Sequence, residues 1–256
     1  MVLDSNYPRR EGLRPDLYEV ERILRARFGQ PRHGNKSNPL NELFYILLSL
    51  QTTEINCRRS YQALRKAFPR WSMLLRASAS QIRGPINFAG LGRQRARKIA
   101  DIARTLYRQR GRLSLSQVKR MSSEEAEVYL TSLPGVGKKT ARCILMYSLN
   151  RQVFPLDTHC ARILKRLGFF VPNGSLRKCE DEIQNLIPAD IRYSLHVTMI
   201  DLGRRICTNR NPQCRICPLQ AICPTGQEMA ITKSLPPGIG LFPTDAVRTL
   251  ADSGLR

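Results

Sequence analysis

Acidic residues are scarce in this chain. Its 256 residues hold 20 Asp and Glu against 42 Lys and Arg, a formal net charge of +22. Such an excess must find anionic partners or repel itself, so nucleic acid stands first among the expected partners and a membrane surface second. Long apolar runs are also missing. Nothing approaches the roughly 18 consecutive apolar residues of a spanning helix, which argues against a helical membrane protein. The opening MVLDSNYPRR lacks the apolar core of a secretion signal, so the expected location is the cytoplasm, nucleoid-associated if the source is prokaryotic. Period-two alternation is short wherever it occurs, so strands are not expected either. With 42% hydrophobic residues the chain still has enough to bury a core, in one large domain or two smaller ones.

What is present is helical periodicity. Asp16 to Phe28 sets Leu17, Val20, Ile23, Leu24 and Phe28 on one face, an amphipathic helix. LNELFYILLSL (40–50) is apolar almost all round and predicts a buried helix. The polar break Gln51-Thr52-Thr53-Glu54 follows it, at the floor of a cleft or as a simple turn. Between Arg83 and Arg112 lie nine basic residues and one acid, Asp101. Within that stretch the turn NFAGLGRQRARK presents Leu91, an apolar tip suited to wedging into a base stack while Arg93, Arg95, Arg97 and Lys98 hold phosphates. Ser122 and Glu125 have the spacing of a capping box, and periodicity returns at Ser175–Leu186 and Ile191–Gly203. These patterns predict an all-α fold. The Pro- and Gly-rich residues 225–256 read as a loosely attached tail.

Leu133-Pro134-Gly135-Val136-Gly137-Lys138-Lys139-Thr140 joins two helices by a tight turn. Its glycines permit positive φ and close main-chain approach, and the N–H groups opening the next helix favour an anion. A phosphodiester suits that geometry; a P-loop is excluded, because the Gly-x-x-x-x-Gly-Lys-Ser/Thr spacing is absent. Two adjacent lysines project about 100° apart on a helix, so one can face a cleft while the other meets phosphate. Asp157, in an otherwise apolar run, is a candidate proton acceptor or stabiliser of a cationic sugar and also a candidate N-cap for the helix after it.

Eight cysteines in a chain of this size without an export signal are expected to be reduced. Cys57, Cys143, Cys160 and Cys179 sit among apolar neighbours and read as core. Cys207-x6-Cys214-x2-Cys217-x5-Cys223 is different: four thiolates in seventeen residues suit a four-cysteine zinc site or an iron–sulfur cluster. Arg204, Arg205, Arg210 and Arg215 surround them, so the metal would staple a DNA-binding loop.

LPGVGKKTA, LDTH and the C-x6-C-x2-C-x5-C ending together resemble the endonuclease III branch of the helix-hairpin-helix DNA glycosylases, over roughly Asn38 to Pro224. The resemblance implies two helical domains flanking a DNA-binding cleft: a six-helix domain at 32–151 with the hairpin, and a second made of 1–31 plus 152–224 with a [4Fe–4S] loop. It implies Lys139 as the nucleophile, Asp157 as the catalytic carboxylate, Gln51 as the side chain that fills the gap left by a flipped nucleotide, and Leu91 as the wedge. Arg93, Arg95, Leu133, Gly135, Val136, Gly137, Lys138, Thr140 and His159 complete the expected DNA contacts. Cys207, Cys214, Cys217 and Cys223 are the expected ligands. The implied activity is excision of damaged, foremost oxidised, pyrimidines from double-stranded DNA by a monomer with AP-lyase activity.

Three competing readings stand beside it: a glycosylase for mismatched uracil, thymine or adenine, an enzyme that is mainly an AP lyase, and a metal-stapled DNA-binding protein without chemistry. Gly92 after the wedge and the cysteine and tyrosine in ARCILMYSL depart from the usual family pattern.

Overall fold

The computed structural model describes residues 14–30, 36–89, 91–170 and 176–234. The domain boundary expected at residue 32, the glycine before Leu91 and residues 235–256 of the expected tail lie outside these. Among the described residues every regular element is a helix, and none is long and apolar enough to cross a membrane.

Short polar side chains start the helices where the sequence places them. Asp16 caps α1 (Leu17–Phe28), and Asn38 accepts from Leu40 and Asn41 to open α2 (Pro39–Ser49). Thr53 caps α3 (Glu54–Ala67). Capping boxes at Ser78 and Ser122 open α4 (Ala79–Ile86) and α6 (Ser123–Thr131); between them runs α5 (Gly92–Arg110). Each such cap satisfies N–H groups that the helix itself leaves unpaired and contributes about 1 kcal/mol. The chain continues through α7 (Lys138–Leu149), α8 (Thr158–Arg166), α9 (Leu176–Leu186) and α10 (Arg192–Arg205).

Apolar side chains collect into two cores. The first joins Leu43, Phe44 and Leu47 of α2 with Ile99, Ile102 and Leu106 of α5, Leu130 of α6, and Ile144 and Leu145 of α7. The second joins Val20 and Leu24 of α1 with Phe154, Ile163, Leu164, Ile183, Leu195 and Met199. The chain passes from one to the other between Val153 and Phe154. The first helix in sequence therefore packs on α10 rather than on its neighbour α2. α2 is buried on nearly every side, as its all-round apolar sequence requires. Its Glu42 accepts from Lys36 N–H at 2.8 Å, and burial pushes that carboxyl up to about 6.

Residues 225–234 depart from the sequence expectation. Instead of beginning a loose tail they form α11 (Pro224–Ser234). Pro224 fits the first helical position, whose N–H would be unpaired anyway. Thr225 Oγ1 donates to Arg166 O at 3.1 Å, and Cys214 Sγ lies 3.6 Å from Met229 Sδ. These contacts hold the helix against α8 and the cysteine loop.

Candidate DNA interface and catalytic site

The turn between α6 and α7 is held by Val136 N–H on Leu133 O at 3.1 Å, with Gly135 at φ 71°. Gly137 precedes α7 without a side-chain cap, so the first N–H groups of that helix carry its positive end outward. The side chains of Leu133, Val136 and Thr140 turn into the fold and are buried. A phosphate at the turn would therefore meet their main chain, not their side chains. A side chain at position 135 would also come within 3.1 Å of Cδ and Cε of Lys98, because the Lys98 stem lies across the turn. Thus α5 brings a lysine to the anion site.

The two lysines diverge as their spacing predicts. Lys138 is exposed and ion-paired to Asp181 of α9. Lys139 is half-buried, and its charge bears on both Cys143, one turn on, and Asp157. Burial pushes the Cys143 thiol up to about 12, which keeps it protonated.

Asp157 caps α8, its Oδ1 accepting from Cys160 N–H at 2.7 Å. Burial raises its carboxyl, but His196, the Cys160 N–H, Lys139 and His159 together hold it below the usual carboxylate range. Behind it lies a buried polar chain. His196 Nδ1 is 3.4 Å from Cys160 Sγ, and its Nε2 is 2.9 Å from Tyr147 Oη. Cys160 and Tyr147 thus form a polar support under the acid, which is more than their reading as core and unusual lining supplied.

His159 occupies the α8–α10 crossing. Gly203 lets it in: a Cβ there would meet His159 Nδ1 at 2.7 Å. Arg162 donates to that Nδ1 at 3.0 Å and to Gly203 O at 2.9 Å. Burial and the nearby charges of Arg162 and Arg204 push the imidazole down, against Asp157. The ring therefore also packs α8 onto α10, a structural duty beside its expected DNA contact.

Gln51 and Leu91 are both exposed, and both hold left-handed backbone, at φ 50° and 49°. Outside glycine such a conformation costs about 1–2 kcal/mol, so something must hold each turn. Arg93 is exposed beside Leu91. Arg95, expected on phosphate, is instead 4% exposed and donates from its guanidinium to Leu50 O. Helical spacing explains the correction: Arg95, Ile99, Ile102 and Leu106 fall at steps of three and four, so Arg95 shares the inward face of α5. Around the same opening the sequence reading passed over Ile55, 79% exposed, and Phe88, whose ring carries the Arg59 guanidinium at 3.7 Å. An isoleucine on the polar face of α3 was the available signal. Glu54 reaches Arg204 of α10 at 3.6 Å, linking the two halves near this opening.

Cys207, Cys214, Cys217 and Cys223 are free thiols, all partly accessible. Cys217 lies within electrostatic reach of the other three, and Arg166 donates to Cys207 Sγ at 3.0 Å. In kind, number and cationic surroundings they fit a four-thiolate group. Among the described residues no three His, Cys, Asp or Glu side chains converge as a metal-holding set.

The chain matches the family described as HhH-GPD superfamily base excision DNA repair protein over residues 45–189, more than half its length. It is 30% identical over 207 residues to endonuclease III of Thermotoga maritima, covering 81% of this chain and 92% of that protein. It is 35% identical over 183 residues to an Arabidopsis thaliana protein described as a DNA glycosylase, covering 68% of this chain and 62% of that protein, so it spans less than two thirds of that relative. Among solved structures, a non-covalent endonuclease III–DNA complex superposes with TM-score 0.71 at 25% identity, covering 84% of this chain and 96% of that one. The chain therefore belongs to the HhH-GPD superfamily of base excision DNA repair proteins, in its endonuclease III branch, and is an enzyme of the DNA glycosylase class.

Proposed function

We propose that this protein removes damaged pyrimidines, oxidised ones foremost, from double-stranded DNA and then cuts the strand as an AP lyase. The turn at Gly135–Gly137, with Lys98 and Lys138, grips the backbone without reading sequence. The damaged nucleotide flips out of the stack, at a cost of a few kcal/mol that is smallest at weakened pairs; Gln51 fills the gap and Leu91 enters the opposite strand. The amine of Lys139 attacks C1′ and forms a C–N bond as the glycosidic bond breaks. Its electron pair leaves with the base, which takes up a proton. Asp157, held as a carboxylate, accepts the amine's proton and stabilises positive charge on the sugar. Ring opening gives a Schiff base, and loss of a C2′ proton expels the 3′ phosphate.

One observation carries this reading. An amine in the first turn of α7, above an uncapped helix N-terminus, bears electrostatically on the buried carboxylate that caps α8. A protein that only binds DNA needs no such pair. The four cysteines are proposed to hold a [4Fe–4S] cluster, which would staple the loop at 207–223; no step above runs through it. A brown preparation with broad visible absorbance supports iron–sulfur, whereas a colourless one containing zinc contradicts it, zinc being d¹⁰.

Single-turnover excision on duplexes carrying thymine glycol, uracil or thymine opposite guanine, and adenine opposite 8-oxoguanine tests the substrate. Thymine glycol is expected to be processed fastest, with strand cleavage at the same site. Preference for a mismatched normal base would overturn the substrate assignment, and base release without cleavage would overturn the lyase.

A further inference from the structure

We infer that Arg95 is a positioning residue that locks the Gln51 turn to the Leu91 turn, so that the two enter DNA together. This rests on the proposed roles of Gln51 and Leu91. The argument begins with the peptide that joins Leu50 to Gln51. The direction of the Leu50 carbonyl fixes the plane of that peptide, and hence the φ of Gln51. Arg95 donates to this carbonyl from a buried guanidinium. At its other end, the Arg95 main-chain N–H donates to Leu91 O at 3.1 Å. Both left-handed residues of the opening are therefore tied to a single residue, one through its backbone and one through its side chain.

The burial of Arg95 bears this out as a design. A guanidinium on a phosphate-binding surface gains most by facing outward, as Arg93 and Arg97 do. Arg95 instead points inward to Leu50, the residue that ends α2. Its fork offers several N–H groups in a fixed plane, which a flexible lysine amine does not. Lysine at this position should therefore hold the Leu50 carbonyl less rigidly while keeping the charge.

The test uses the full-length protein and the variants Arg95→Met and Arg95→Lys. Two probes are read: 2-aminopurine fluorescence beside a tetrahydrofuran site in a duplex, which reports unstacking without chemistry, and borohydride trapping on an abasic site in duplex and in single-stranded DNA. Gln51 and Leu91 act only where a stack must be opened. Arg95→Met should therefore slow unstacking and duplex trapping about ten- to a hundredfold, the scale of a misplaced positioning group. Single-strand trapping and affinity for undamaged duplex should stay within about threefold, and Arg95→Lys should recover part of the loss. Equal loss on single and double strands, or no loss on either, overturns the proposal. If Arg95→Met does not fold, the ratio of duplex to single-strand trapping in Arg95→Lys decides in the same way. Gln51→Ala and Leu91→Ala are the controls. If both leave duplex unstacking unchanged, the reading of those residues falls and takes this one with it; if they impair it and the Arg95 variants do not, the proposal alone falls.

Discussion

Asp157 gives one oxygen to the Cys160 N–H, and the proposed reaction needs the same carboxylate charged. Its pKa is depressed in the fold. The corresponding stability is therefore present in full above the unfolded carboxylate value near 3.9, and it is lost as pH falls through the lower folded value. Asp157→Asn separates the two duties, since asparagine caps a helix about as well as aspartate. The variant should lose about 10²–10⁴-fold in single-turnover excision while its thermal unfolding moves by less than about 1 kcal/mol. Activity that survives the change would remove Asp157 from the chemistry. Gly135 is constrained differently. At φ 71° with Lys98 across it, alanine would cost about 1–2 kcal/mol for its backbone alone. Gly135→Ala should lower both the unfolding temperature and the affinity for undamaged duplex, measured by anisotropy; unchanged affinity would separate this turn from DNA binding.

At the scale of elements, α7 carries the heaviest constraint. Its Arg142 is the largest fully buried side chain, bonded to Glu127 of α6 at 2.6 Å and 3.2 Å, to Glu180 O of α9 at 2.8 Å and to Asp181. The helix that presents Lys139 is thereby fastened to elements of both halves. Arg142→Ala leaves Glu127 without its partner and should destabilise the protein by about 3–5 kcal/mol in chemical denaturation; a loss under about 1 kcal/mol would mean the network is ornamental. Much of this level was legible in the sequence. The all-round apolar run announced α2, Ser122 with Glu125 announced α6, and Asp157 was readable as the cap of α8. Inward-facing cations were not. A run of basic residues looks uniform until helical steps sort it, and Arg95 was expected on phosphate by its charge alone. α11 was missed for a related reason: Pro and Gly were read as breakers, although proline suits a first turn and Gly226 is buried against the cysteine loop.

Across the whole molecule, the proposed nucleophile and its proposed acid belong to different cores. Lys139 rides on the helix that closes the first, and Asp157 follows the passage at Val153–Phe154 into the second. Duplex at the proposed site would meet a strongly cationic protein, with a formal net charge of +22 over the whole chain. Affinity should fall linearly in log–log form with salt, with a slope of about −0.9 per phosphate neutralised. Lys138 is ion-paired to Asp181 and is proposed to grip the backbone as well, so Lys138→Ala should make the slope shallower by about 1; an unchanged slope would remove Lys138 from that grip.

The central claim is that Lys139 forms the covalent bond. Borohydride reduction of the protein on a duplex with a single abasic site tests it most directly. The wild type should give a cross-linked adduct, and Lys139→Ala should give none while still binding the duplex. An adduct of undiminished yield in Lys139→Ala would contradict the account.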